Sequence, residues 1–306
     1  KELKAYFENE LAADVNQVER KRKWVIFQMF LVLLFIIGGC VVSVMVHLAN
    51  PEVIEIGWLL LGVMLSFIIG GVMMYEVSRN RGFYYKFKNL IIDRIISFID
   101  ESMVYKSHKH IPVNRFVESH LFSSLPTKKY KGDDYVRGKI GDDVALEFSE
   151  VVAPYRDKDS NKVGMLFKGL FFIAERQTAF PSATIIVPAG TDLTQAHWNK
   201  TMKVERINTG DPNFEKHFWL FSDSTQDTNK IMTKNLRDVL VQFVEKSENG
   251  IRCSFIGHRI YVGITFEKDL FEPKLFKSLK DFSIIEEYYD VLYRALTIID
   301  RIRPPK

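Results

Sequence analysis

Two stretches of this chain, Trp24 to Val46 and Ile56 to Tyr75, contain no Asp, Glu, Lys, Arg or His. At about 1.5 Å of rise per residue the first reaches roughly 35 Å and the second roughly 30 Å, enough to cross a hydrocarbon core of about 30 Å. A core helix of a soluble protein keeps a polar face over such a length, whereas these runs are apolar all round. They are read as two membrane spans, and the side on which each end emerges orders the rest of the chain.

Arg20, Lys21, Arg22 and Lys23 precede the first run, and Arg79, Arg81, Lys86 and Lys88 follow the second. The link His47 to Glu55 carries Glu52 and Glu55 and neither Lys nor Arg. Short cationic flanks stay on the cytoplasmic side, so both termini are expected in the cytoplasm and the link outside. A cleaved signal peptide is the rival reading of the first run. Its apolar stretch is too long for one, no small-x-small pattern follows, and a second span comes directly after. The chain begins with Lys1 rather than Met, which leaves room for residues ahead of it.

The net charge of +4 is modest and concentrates in the two flanking clusters, pointing to lipid headgroups rather than nucleic acid. Cys40 and Cys253 are the two cysteines, one in mid-span and one in the polar part, so no disulfide framework is expected. Roughly 220 residues follow the second span, enough for one sizeable core.

Three segments result: an amphipathic helix over 1–23, a transmembrane hairpin over 24–78 with spans 24–46 and 56–75, and a cytoplasmic α+β domain over 79–306. In the first, Leu3, Phe7, Leu11, Val15 and Val18 recur at helical spacing among Glu2, Glu8, Glu10 and Asp14. In the hairpin, Gly39 and Ser43 on one span, and Gly62, Ser66 and Gly70 on the other, line helix faces with small residues that permit close backbone approach. The same small-residue faces also fit a seam between subunits.

In the third segment the period predicts a helix from Phe83 to Tyr105 and a short amphipathic stretch from Arg115 to Phe122. Alternation then predicts a hairpin joining Val136–Ile140 to Val144–Phe148 across Gly141-Asp142-Asp143, and strands over 164–174, 183–187, 202–207 and 218–222. A helix follows over 233–246, then a second hairpin around Gly257-His258, and a last helix from Phe282 to Arg301 ahead of Pro304-Pro305. Strands of mostly antiparallel pairing with flanking helices give an α+β class.

No stretch carries recognisable catalytic chemistry. Asp157-x-Asp159-x-Asn161 opens like a calcium loop, but Lys162 and Lys168 stand where such a loop needs Gly and a bidentate Glu. His47, His108, His110, His120, His197, His217 and His258 lack paired ligand spacing, and neither a zinc pattern, a nucleophile elbow nor a phosphate loop is present. Asp133-Asp134 and Asp142-Asp143 each lie beside a Gly, where turn chemistry accounts for them. The stretch Lys128-Lys129-Tyr130-Lys131 reads as an exposed loop, with contact to anionic headgroups as the alternative. The sequence thus predicts no enzyme, no cofactor and no metal site.

Three stretches carry a family resemblance: Lys131-Gly132-Asp133-Asp134-Tyr135-Val136-Arg137-Gly138-Lys139-Ile140-Gly141, Leu166-Phe167-Lys168-Gly169-Leu170-Phe171-Phe172, and Asp211-Pro212-Asn213-Phe214-Glu215-Lys216-His217-Phe218 with Ser222-Asp223. Together they resemble an uncharacterised bacterial membrane-protein family, domain of unknown function thirty-one thirty-seven, along nearly the whole chain. The resemblance implies an inner-membrane protein with paired spans ahead of an α+β domain, and no catalytic residues. The expected role is a membrane-anchored interaction or scaffold module. Its partners are the lipid bilayer and a second copy or another membrane protein, not nucleic acid. The alternative is a small-ligand or lipid-headgroup binding domain built on a partly closed barrel. A scaffold requires a broad apolar or shape-complementary patch, and a binding domain a concave pocket with converging polar groups.

Overall fold

The computed structural model describes the chain except residues 1, 50, 51, 53, 54, 80, 141–143, 158–160, 195, 197, 248 and 303–306. It divides into two compact units, Lys1–Arg94 with Glu272–Glu286, and Ile95–Phe271 with Glu287–Lys306.

The first unit is helical. Helix α1 runs Glu2–Ala49, interrupted by one π turn at Phe7–Leu11. Helix α2 is Ile56–Ser78, and α3 covers residues 81–99, with its own π turn at Lys88–Ile92. Leu11, Val15, Val18, Val25 and Val32 of α1 are buried at steps of four, three and seven, the seam of a paired helix. The pairing is antiparallel. A Cβ added at Gly62 would stand 2.6 Å from the Ser43 hydroxyl, one at Gly39 2.3 Å from that of Ser66, and one at Gly70 2.1 Å from Ile36. Arg94 of α3 lies 3.6 Å from Asp14 of α1. The outward faces of both apolar runs are exposed, as at Phe30 (53%), Trp58 (65%) and Phe67 (58%).

The second unit is a nine-stranded, wholly antiparallel sheet in the order β1-β2-β3-β4-β9-β8-β5-β7-β6. Its strands are β1 Val104–Lys106, β2 Lys131–Ile140, β3 Val144–Arg156, β4 Val163–Glu175, β5 Thr184–Pro188, β6 Glu205–Ile207, β7 Phe218–Ser222, β8 Ile251–Ile256 and β9 Arg259–Thr265. Helices α4 Val113–Val117, α5 Asn199–Met202, α6 Pro212–His217, α7 Thr225–Ile231 and α8 Lys234–Lys246 connect them, and α9 spans Phe282–Ile302. Three of these helices start on side-chain caps: Asp211, Ser224 and Thr233 accept from the backbone N–H three residues on.

Strand β4 lies inside the sheet, between β3 and β9. Alternation sends Phe167, Phe171 and Ile173 into one core, where they meet Val151, Ile185, Phe221 and Tyr261. On the other face Phe172 contacts Phe148 at 4.8 Å between ring centroids, and Leu170 and Phe172 are buried as completely as Phe171. Gly169 holds φ +150°, and a Cβ there would fall 2.0 Å from the Ile264 carbonyl, so only glycine lets β4 lie this close to β9.

Three expectations change. The helix from Phe83 stops at Ile99 instead of Tyr105, because Asp100 turns the chain by accepting from Ser102 N at 2.8 Å, and Tyr105 joins the edge strand β1. The helical stretch 115–122 shrinks to Val113–Val117, closed by the Ser119 hydroxyl donating to Phe116 O. The strand expected over 202–207 begins only at Glu205, since Lys203 is left-handed and Asn199 clamps Val204 through its backbone N–H and C=O. The strand order leaves β1 and β6 as outer strands, with no pairing between them among the described residues. The turn at Gly141-Asp142-Asp143, Asp159, His197 and Pro304-Pro305 lie outside the described residues.

Candidate functional site

A groove of about 510 Å³ opens on the β1–β4 end of the sheet, with Arg115, Tyr135, Arg137, Lys139, Glu147 and Glu175 among its walls and Val104, Leu146 and Ile173 as apolar lining. Register explains the grouping. Val104, Arg137, Glu147, Ile173 and Tyr261 form one cross-strand row, and Lys139, Ala145, Glu175 and Arg259 form the next that shares its face. Helix α4 supplies Arg115 to the same groove.

The acids of the groove are already matched. Glu147 forms an ion pair with Arg115 and accepts from the Tyr135 hydroxyl at 2.6 Å. Burial, then the neighbouring Glu147 carboxylate, pushes the Tyr135 phenol up to about 12, so it stays a donor at neutral pH. Glu175 lies 3.9 Å from Arg259, which also reaches Glu118 at 2.8 Å. Arg137 sits directly across from Glu147 in register, yet that carboxylate is engaged elsewhere.

A second feature sits at the far end of β2. Asp133, Asp134 and Glu150 bring carboxylate oxygens within 4.8 Å of one another. The turn expected at Asp133-Asp134 is replaced by a β-bulge between Asp133 and Val136, where Asp134 is left-handed (φ +56°), buried, and accepts from the Tyr105 hydroxyl. Glu150 is 5% exposed and accepts from Leu270 N at 3.2 Å. Burial, reinforced by the charges of Asp133, Asp134 and Asp269, raises its carboxyl to about 8, so it holds a proton at neutral pH. Sequence spacing gave no sign of this cluster, because Glu150 meets the aspartates only through the β2–β3 register.

The small residues Gly39, Ser43, Gly62, Ser66 and Gly70 meet one another or Ile36 between α1 and α2. Among the flanking cations, Arg20, Lys23 and Arg79 are exposed, and Lys21 and Lys86 are half-buried. Arg22 and Lys88 are a correction to the headgroup reading: both are buried, Arg22 against Glu19 at 2.6 Å and Lys88 against Glu272 at 3.0 Å. The loop reading of 128–131 holds for the exposed Lys128 and Lys129, while Tyr130 packs on Phe116 and donates to Ile111 O. His120 stacks on Trp198, and His217 lies 3.7 Å from Glu245, so neither joins the carboxylate cluster.

Residues 165–303 match the model of a family described as "Protein of unknown function (DUF3137)". This stretch is similar to that family. The DUF3137 match takes in two of the three stretches on which the resemblance rests, around 166–172 and 211–223, and begins after the first, at 131–141. No curated protein matches the chain. A solved structure, that of the mycobacterial trehalose monomycolate transport factor A, is similar at 10% identity over 70% of this chain and 96% of that one, with a TM-score of 0.34.

Proposed function

We propose that this chain is a ligand-binding module tethered at the inner membrane, with two spans, both termini in the cytoplasm, and the sheet domain facing the cytoplasm. The concave groove carries the binding part of this reading: it joins apolar walls to polar groups held in place by Arg115–Glu147 and Tyr135–Glu147 contacts. Its volume falls in the range of small-molecule sites. The scaffold reading has less behind it. Exposed large apolar side chains of the sheet unit, among the described residues, fall on separate elements: Val104, Val113, Leu125, Val163 with Met165, and Tyr293.

The tether rests on the bare apolar surface of α1 and α2. Each large aliphatic or aromatic side chain left in water forgoes about 1.5–3 kcal/mol, a loss that a hydrocarbon surrounding removes. The small-residue faces are used within the hairpin, which leaves that seam unavailable to a second copy.

Native mass spectrometry of the detergent-solubilised protein tests the reading. A retained small molecule that disappears in Ala145→Phe, which fills the groove, is the expected result. Retention unaffected by A145F, or none at all, would put the binding function elsewhere. For the tether, a cysteine introduced at Asn50 should react with an impermeant thiol reagent in intact cells, and one at Ser160 should not.

A further inference from the structure

We propose that the groove takes a phosphate monoester group, on a soluble metabolite-sized molecule or on a lipid headgroup; this rests on the groove being the ligand site. Of the charged side chains that line the groove, Glu147 is held by Arg115 and Tyr135, and Glu175 lies beside Arg259. Arg137 and Lys139 alone form no ion pair among the described residues, and both side chains are exposed. They stand two residues apart on β2, so they emerge on the same face roughly 7 Å apart along the strand.

Two cations with no ion-pair partner among the described residues fit a doubly charged anion better than a singly charged one. A phosphate monoester carries about −1.5 to −2 at neutral pH, whereas a carboxylate would leave one cation without a counter-charge. Arg137 offers a planar fork for two phosphate oxygens, and Lys139 a mobile point charge for the third. The Tyr135 hydroxyl is committed to Glu147, so the acid–phenol pair acts as a fixed wall and keeps Arg115 from competing for the anion. A bare phosphate fills a small part of 510 Å³, so the group it is attached to occupies the remainder, against Val104, Leu146 and Ile173. Without the anion, two like charges on neighbouring positions of one strand face repel, and its arrival removes that repulsion.

The test is a titration of the full chain in phosphatidylcholine nanodiscs with phenyl phosphate, and a parallel measurement of bound lipid in nanodiscs containing phosphatidate. Saturable binding of either is expected. The affinity should fall about tenfold or more in Arg137→Gln/Lys139→Gln, persist in Arg137→Lys/Lys139→Arg, and fall in Ala145→Phe. Phenyl phosphate binding identifies a soluble ligand, and binding of phosphatidate alone identifies a headgroup; both support the proposal. An unchanged melting temperature shows that R137Q/K139Q is folded, as its exposed positions imply. Binding that A145F abolishes but R137Q/K139Q leaves intact overturns the phosphate assignment and spares the groove. Binding indifferent to A145F overturns both. Failure of both phosphate probes, with a neutral molecule retained in the groove, overturns the phosphate assignment alone.

Discussion

Glu19 and Arg22 form a buried bidentate ion pair one turn before the first apolar run, with Arg22 Nη2 2.6 Å and Nε 2.8 Å from the carboxylate oxygens. Around it, within the helical unit, the segment after Glu272 is tied down: Leu279 N and the Ser278 hydroxyl donate to Glu19, and Arg22 donates to Leu275 O. A residue expected to meet lipid headgroups therefore holds a strap to α1. Removing one partner strands a buried charge, so Glu19→Ala should destabilise by about 3–5 kcal/mol, whereas Glu19→Leu/Arg22→Met should recover most of that loss. Equal loss in the single and double variants, by chemical unfolding in detergent, would sink this account.

The same pair sets an acid limit. Burial works to raise the Glu19 carboxyl, but the hydrogen bonds from Arg22 and Leu279 and the Arg22 charge carry it below the usual value of 4.5. A depressed carboxyl contributes stability that is fully present above its unfolded pKa and is lost as pH falls through the folded value. Unfolding measured from pH 6 down to about pH 3 should show the helical unit weakening, and Glu19→Gln should weaken far less over the same interval.

Glu150 reverses the sign. Its carboxyl is raised from 4.5 to about 8, so the native state binds a proton that the unfolded chain has lost. Its contribution is greatest at low pH and declines between about pH 4.5 and 8, by on the order of a few kcal/mol. Glu150→Gln keeps an acceptor for Leu270 N and removes the charge, so we expect it to flatten this decline and stabilise the protein at pH 9. A pH–stability curve with the wild-type slope in E150Q would exclude Glu150 as its source.

Truncation on β4 should be equally costly on both faces. Phe167, Phe171 and Phe172 are each at most 1% exposed, so alanine at any of them should cost about 3–5 kcal/mol. A sheet covered on one side predicts a sparing of Phe172, and its ring contact with Phe148 argues the opposite. Equilibrium unfolding of the three variants decides between the two.

Adjacent glycines of α2 provide an internal control. A side chain at Gly70 runs into Ile36, while one at Gly71 meets nothing within 4 Å. Gly70→Leu should lower the thermal unfolding temperature of the hairpin, and Gly71→Leu should leave it unchanged. Matching behaviour in the two variants would remove Gly70 from the helix seam.

Local pattern alone carried much of this fold. The two uncharged runs, the α8 helix, the β4 strand and the Gly257 turn are each dictated by side chains a few residues apart, and they stand where periodicity puts them. What pattern cannot carry is which strand lies beside which. Arg137 stands across from Glu147, and Asp134 comes beside Glu150, only because β2 and β3 pair in one register that shifts between Asp133 and Val136. Arg22 read as one more flanking cation until Glu19, three residues away on the same helix turn, and Leu275 and Leu279, from far along the chain, closed over it. The two long apolar helices were thus determined by sequence because hydrophobicity is additive along a helix. The groove, the carboxylate cluster and the strap were decided by tertiary structure, because burial and charge pairing depend on distances that no single stretch of chain contains.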